Sequence, residues 1–267
     1  MNVVRKAAVA GSFYPGSPAQ LARDVDAMLA EAAVAPLRPK ALVVPHAGYV
    51  YSGPIAASAY ALLKGRPIHK VVLVGPAHFV AVPGLALPAA DVLETPLGTL
   101  RVDPALVAKV LELPYVKRSE PAHAREHSLE VQLPFLQRVL GDFTVLPLVV
   151  GRATATEVAE VLEKVWGGDE TLVLISTDLS HYLPYAAARQ IDGHTADQIL
   201  AFDFEELEHD QACGATGLCG LLQQARQRGL KATQLDLRNS GDTAGDRSRV
   251  VGYGAWAFEE QHVREAR

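Results

Sequence analysis

Cysteine is scarce in this chain: Cys213 and Cys219 are the only two among 267 residues. Their spacing fits no zinc-finger pair, so a disulfide framework and a cysteine-rich structural metal site are excluded. Long apolar runs are missing too. None approaches the ~18 residues that cross a bilayer. The apolar part of the first segment, residues 7–10, is shorter than the roughly 7–15 residues of a signal-peptide core. The expectation is a cytoplasmic protein with no membrane association. Positive charge is neither dominant nor clustered. The 25 Lys and Arg stand against 30 Asp and Glu, for a formal net charge of −5. No basic block suited to phosphates occurs, which argues against a nucleic-acid partner. The HExxH, GxxxxGK[ST] and GxSxG patterns are absent as well, removing zincin, P-loop and nucleophile-elbow chemistry.

What is present is a set of short, continuous apolar runs. They lie at 41–44, 71–74, 143–150, 171–176, 233–237 and 250–258. Runs without polar alternation suit strands buried on both faces. Helical patterns fall between them at 17–33, 54–64, 104–111, 128–139, 154–166, 185–201, 204–209 and 217–228. Ser17 is placed to cap the first of these, with Pro18 in its first turn. Residues 84–101, rich in Pro and Gly, read as an excursion of short strands or loops. With no repeat, linker or composition break, the expected fold is α/β. It is a single domain over 1–267 with a central mixed, largely parallel sheet flanked by helices.

Polar residues collect where these runs end. "LVVPHAGYVYSG" delivers His46 and "KVVLVGPAHF" delivers His78, each just past a strand. "LVLISTDLSHY" brings Asp178 and His181, and "RNSGDTAGDRSRVVGYGAWAF" brings Asp242, Asp246 and Arg247. "AHAREHSLEVQLPF" adds His123, His127 and Glu130, with Ser128 as a candidate cap and His127 at the positive end of the helix. Cys213, in "DQACGATG", fits a small buried apolar residue better than a nucleophile. His69, His194, His209 and His262 fit solvated or structural roles, and Asp246 and Arg247 a local ion pair. Glu94 fits a loop, and Tyr49 and Tyr51 are candidate pocket walls. In a parallel sheet the carboxyl ends share one rim, where ligands bind. Imidazoles gathered there suit Zn, Cu, Fe or Ni, and two histidines with a carboxylate suit catalytic Fe(II).

The ordered blocks "PHAGYVYSG", "VVLVGPAHF", "EHSLEVQLPFL", "STDLSHY" and "SGDTAGDRSRVVGYGAWAF", after "RKAAVAGSFYPGSPAQL", resemble the Memo family over nearly the whole chain. The resemblance is closest to its prokaryotic branch, AmmeMemoRadiSam system protein B. That family is similar to class III extradiol ring-cleaving dioxygenases. The resemblance implies a divalent metal held by His46 and His78, with Fe(II) favoured by analogy and Zn or Cu as alternatives. It implies His181 as acid/base, with Asp178 beside it to orient it. His127 completes the expected catalytic group. Animal members carry a cysteine ligand in the loop before the last strand. Residues 239–249 contain none here. Thr243 falls in that register, and Asp242 next to it is the expected third ligand, with Thr243 and Cys213 as alternatives. The implied activity is metal-dependent redox chemistry on a small aromatic or phenolic molecule. A zinc-dependent hydrolase is one alternative. Another is a non-catalytic adaptor that binds a peptide or works beside a radical-SAM partner.

Overall fold

Four of the apolar runs pair side by side as parallel strands and form the middle of one sheet. The computed structural model describes residues 3–243 and 245–261, so His262 lies outside the described residues. In chain order the first half contains β1 (Val4–Arg5), α1 (Pro18–Glu31), β2 (Ala41–Val44), α2 (Tyr49–Tyr60), β3 (Lys70–Pro76), β4 (Leu85–Leu87), β5 (Val92–Thr95), β6 (Gly98–Val102) and α3 (Pro104–Val110). Next come β7 (Val116–Arg118), α4 (Glu120–Ala124), α5 (Leu133–Val139), β8 (Thr144–Val150) and α6 (Ala155–Val165). The last part holds β9 (Thr171–Ser176), β10 (His181–Leu183), α7 (Tyr185–Ala201), α8 (Ala215–Arg228), β11 (Lys231–Asn239), α9 (Ser240–Thr243) and β12 (Val250–Glu259).

The 12 strands run in the order β1-β5-β6-β8-β3-β9-β2-β12-β10, with β11 also on β12 and β4 joining β7 to β8. The pairs β6–β8, β8–β3, β3–β9 and β9–β2 are parallel, whereas β12 is antiparallel to β2, β10 and β11. This is the mixed, largely parallel sheet the apolar runs predict. Val71, Val72, Leu73, Val74, Leu172, Val173, Leu174 and Ile175 are all fully buried because helices cover both faces. No helix among the described residues is long and apolar enough to cross a membrane.

Three local expectations are corrected. The second helix starts at Tyr49 rather than at Pro54, because the Gly48 carbonyl accepts from the amides of Tyr51 and Ser52 and nucleates an earlier turn. Pro54 is tolerated inside it, since the carbonyl it leaves unpaired belongs to Val50, on the exposed face. Ser128 caps no helix: its hydroxyl donates to the Pro76 carbonyl at 2.9 Å. A 3₁₀ turn, Glu130–Gln132, comes next, and α5 begins with Pro134 in its first turn. Residues 204–209 are not helical. There the carbonyls of Glu206 and Leu207 accept from the Gln198 amide and the Cys219 thiol instead of a helical ladder.

Candidate metal centre

Three parallel strands each place a chemically active residue two positions past their last residue. His46 follows β2, His78 follows β3 and Asp178 follows β9. Val44 is in register with Ser176, so His46 and Asp178 are neighbours. The His46 amide donates to Asp178 Oδ1 at 2.7 Å. The ring centroids of His46 and His78 are 5.1 Å apart. His127 stands 5.5 Å from His46 and stacks on His78 at 4.7 Å.

The tautomer of His46 follows from its partners. Ser176 has one hydroxyl proton, and it goes to the Ser128 carbonyl at 2.6 Å. Its oxygen therefore accepts, from the Gln132 side-chain amide at 2.8 Å and from His46 Nδ1 at 2.9 Å. Gln132 is itself fixed, donating to the Pro45 carbonyl and accepting from the Tyr60 hydroxyl. His46 thus carries its proton on Nδ1 and presents a lone pair on Nε2. Burial, followed by the nearby charges of His78 and His127, holds the ring well below the usual histidine range, so it is neutral at neutral pH.

His78 is fixed by Glu126. Its amide donates to Glu126 Oε2 at 2.6 Å and its Nδ1 lies 2.9 Å from Oε1. The amides of His127 and Ser128 both donate to the same Oε1 at 3.0 Å. Burial opposes ionisation of this carboxyl, but the hydrogen bonds from His78 and Ser128 outweigh it and hold Glu126 at about 2. An anionic carboxylate at Nδ1 makes that nitrogen the donor and leaves Nε2 of His78 free. Glu126 is not among the residues the sequence singles out. Its one signal there was an acidic residue directly before His127 in "REHS".

Cys213 supplies the third donor. Its Sγ lies 3.3 Å from His46 Nε2 and accepts from the Asp178 amide at 3.3 Å. Gly214 brings it in: a Cβ there would sit 2.7 Å from Thr177 Cβ and 2.9 Å from the Ser176 carbonyl, so only glycine lets this turn press against the end of β9. Burial and the Asp178 carboxylate push the Cys213 thiol up to about 12, which makes it a neutral S–H facing Nε2 of His46. One donor atom from each of His46, His78 and Cys213 lies within 4.8 Å of the others. A second group with the same property comprises His78, Glu126 and His127.

The carboxylate expected to complete the set stands elsewhere. Asp242, on α9, accepts from the Tyr185 hydroxyl at 2.6 Å and from the Asn239 amide at 3.1 Å, with Arg247 Nη2 at 3.8 Å. Those partners hold its oxygens, and among the described residues it joins no group of converging histidine, cysteine and carboxylate donors. Arg247 consequently pairs with Asp242 rather than Asp246, whose carboxylate accepts from Ser248. Asp178 is 5% exposed, and its hydrogen bond goes to the His46 main chain rather than to the His181 ring. Burial pushes its carboxyl up, above the usual carboxylate range. His181 is exposed at the start of β10, close enough for its charge to act on both His46 and Asp178. Next to it Tyr182 has a left-handed φ of 58° and an exposed ring under Arg249. Glu130 is no site residue: it accepts from Arg5, from the amides of Ala8 and Val9 and from the Tyr14 hydroxyl, tying down the N-terminal segment. Glu94 pairs with Lys6 at the surface, Tyr49 is buried with its hydroxyl on the Val131 carbonyl, and Tyr51 is exposed.

A family model described as Memo-like protein matches residues 5–257. A MEMO1 family protein of Aquifex aeolicus is 38% identical over 261 residues, covering 94% of this chain and 97% of its own. Relatives of the same description in Methanococcoides burtonii and Archaeoglobus fulgidus are 39% and 37% identical, covering 94% and 96% of this chain and 98% and 99% of theirs. Among solved structures, the uncharacterized protein JW3007 from Escherichia coli K12 superposes with a TM-score of 0.52 at 15% identity. The match covers 80% of this chain and 98% of that one, and shows a shared fold.

Proposed function

This chain belongs to the family of Memo-like proteins, and we propose that its His46, His78 and Cys213 hold one first-row transition ion at which the protein performs redox chemistry on a small molecule. One observation carries the reading: two imidazoles, each with Nδ1 tied to a fixed partner, and a thiol converge within 4.8 Å. Carboxylate or hydroxyl partners behind metal histidines are the usual means of orienting them. The donor set is softer than two histidines and a carboxylate, so copper and zinc stand beside the Fe(II) that the likeness to extradiol dioxygenases favours. Once bound, such an ion supplies Lewis acidity and, for iron or copper, electrons. The protein's own part is to fix His46 and His78, to keep Asp178 buried against the His46 amide, and to hold His181 at the open side. There its exposed ring exchanges protons with a substrate.

A second reading is a partner-binding protein, for a peptide or for a component of a radical-SAM system. It is favoured by three exposed aromatics, Tyr51, Phe79 and Tyr182, which flank the segments of His46, His78 and His181. Arg125 stacks over Phe79 and Arg249 over Tyr182, and such aromatic and arginine pairs anchor interfaces.

Anaerobic titration with Fe(II), Cu(I) and Zn(II), followed by dialysis and metal analysis, tests the first reading. Wild-type protein retains one ion per chain, and His46→Ala and His78→Ala lose it. Retention by both variants, or no binding by wild type, overturns it. Partner capture that persists in the double variant selects the second reading.

A further inference from the structure

Glu126 touches both stacked imidazoles. Its Oε1 lies 2.9 Å from Nδ1 of His78 and 3.5 Å from Nδ1 of His127. The first contact is a hydrogen bond. The second is not, and Nδ1 of His127 is buried with no hydrogen-bond partner among the described residues. With no hydrogen bond to decide it, which of its two nitrogens carries a proton follows from the charge nearby. A lone pair aimed at an anionic oxygen across that gap is repelled, and an N–H is attracted. The ring cannot turn freely to escape, because it stacks between His78 at 4.7 Å and Phe13 at 4.5 Å.

We infer that Glu126 is the positioning residue of the centre, one carboxylate that fixes the Nδ1–H tautomer of His78 by a hydrogen bond and that of His127 by its charge. His78 then offers Nε2 to the ion, and His127 turns its Nε2 away from Glu126 as the nitrogen left to accept a proton. The ligand part of this statement rests on the proposed metal reading; the tautomers do not. Glu126 is not itself a ligand, although one of its oxygens lies within 4.8 Å of donors on His78 and His127. Its two oxygens already take N–H groups from the His78 ring and from the amides of His78, His127 and Ser128. The second converging group is thus a support rather than a second ion site.

The test is long-range ¹H–¹⁵N spectroscopy of histidine-labelled, metal-free protein at neutral pH, which reads each ring's tautomer. Wild type shows Nδ1–H on His46, His78 and His127. In Glu126→Gln the amide oxygen still accepts from His78, so His78 keeps its tautomer while His127, deprived of the anion, becomes mixed. In Glu126→Ala both become mixed, and His46, held by Ser176, does not change. Zn(II) affinity of Glu126→Ala falls about 10–100-fold. A proton on Nε2 of His78 or His127 in wild type overturns the inference without any variant. So do tautomers unchanged in Glu126→Ala. If wild type binds no zinc but shows these tautomers, the metal reading fails and the positioning role stands.

Discussion

The two nitrogens of His46 do different work. Nδ1 is spent on Ser176 and Nε2 faces Cys213, so the ring is held before any ion arrives. The account therefore separates two side chains that the sequence leaves as rival third ligands. Cys213→Ala lowers Zn(II) or Cu(I) affinity by at least about tenfold, whereas Asp242→Ala leaves it within a factor of two or so. Isothermal titration of the two variants decides, and the reverse ranking sinks the assignment. A second residue-scale outcome concerns His123, buried with Nε2 2.8 Å from the Ala86 carbonyl. Burial lowers it to about 4. Its folded value lies below the unfolded one, so between roughly pH 6.5 and 4 the unfolded chain binds more protons, and stability falls as pH drops through that window. Urea titrations at pH 7 and 4.5 show a loss from this group of roughly 2–3 kcal/mol. His123→Gln, which keeps a donor for Ala86, removes that part of the slope.

At the scale of elements, one short segment from Glu126 to Gln132 organises the centre. Glu126 grips His78, Ser128 grips Pro76 and Ser176, Gln132 grips Pro45 and Ser176, and Glu130 grips the N-terminal segment. Glu130→Ala leaves the 7%-exposed Arg5 without its 2.7 Å partner. Breaking a buried pair from one side costs about 3–5 kcal/mol. Denaturant melts and limited proteolysis near residues 3–15 register the loss; stability unchanged within error contradicts it. This segment also shows where sequence reading stops. The strands of the parallel core were legible because unbroken valine and leucine runs have few other uses, and the two rim histidines were legible because each follows such a run. Glu126 and the placement of Cys213 were not. Their partners lie 48 and 167 positions away, and a lone cysteine in a glycine-rich turn looks the same whether it packs or binds. Asp242 also stands just past a strand end, but Tyr185 and Asn239 hydrogen-bond its oxygens. The helix expected at 204–209 failed because its carbonyls bond to side chains of α7 and α8.

For the molecule as a whole, the sheet brings His46, His78 and Asp178 together just past the ends of three buried parallel strands. A ligand that binds only this folded arrangement stabilises it by mass action. Free ion at 100 times its dissociation constant adds about 2.7 kcal/mol, which at this chain length raises the melting temperature by several degrees, at about 2–4 °C per kcal/mol. Scanning calorimetry shows that rise with Zn(II) and its reversal by chelator, and His46→Ala/His78→Ala abolishes both. The most direct measurement is anomalous diffraction from crystals grown with Zn(II). The account predicts a single strong peak bonded to Nε2 of His46, Nε2 of His78 and Sγ of Cys213, at about 2.0–2.3 Å from each. A peak on Asp242, or none between rings that keep their places, contradicts it.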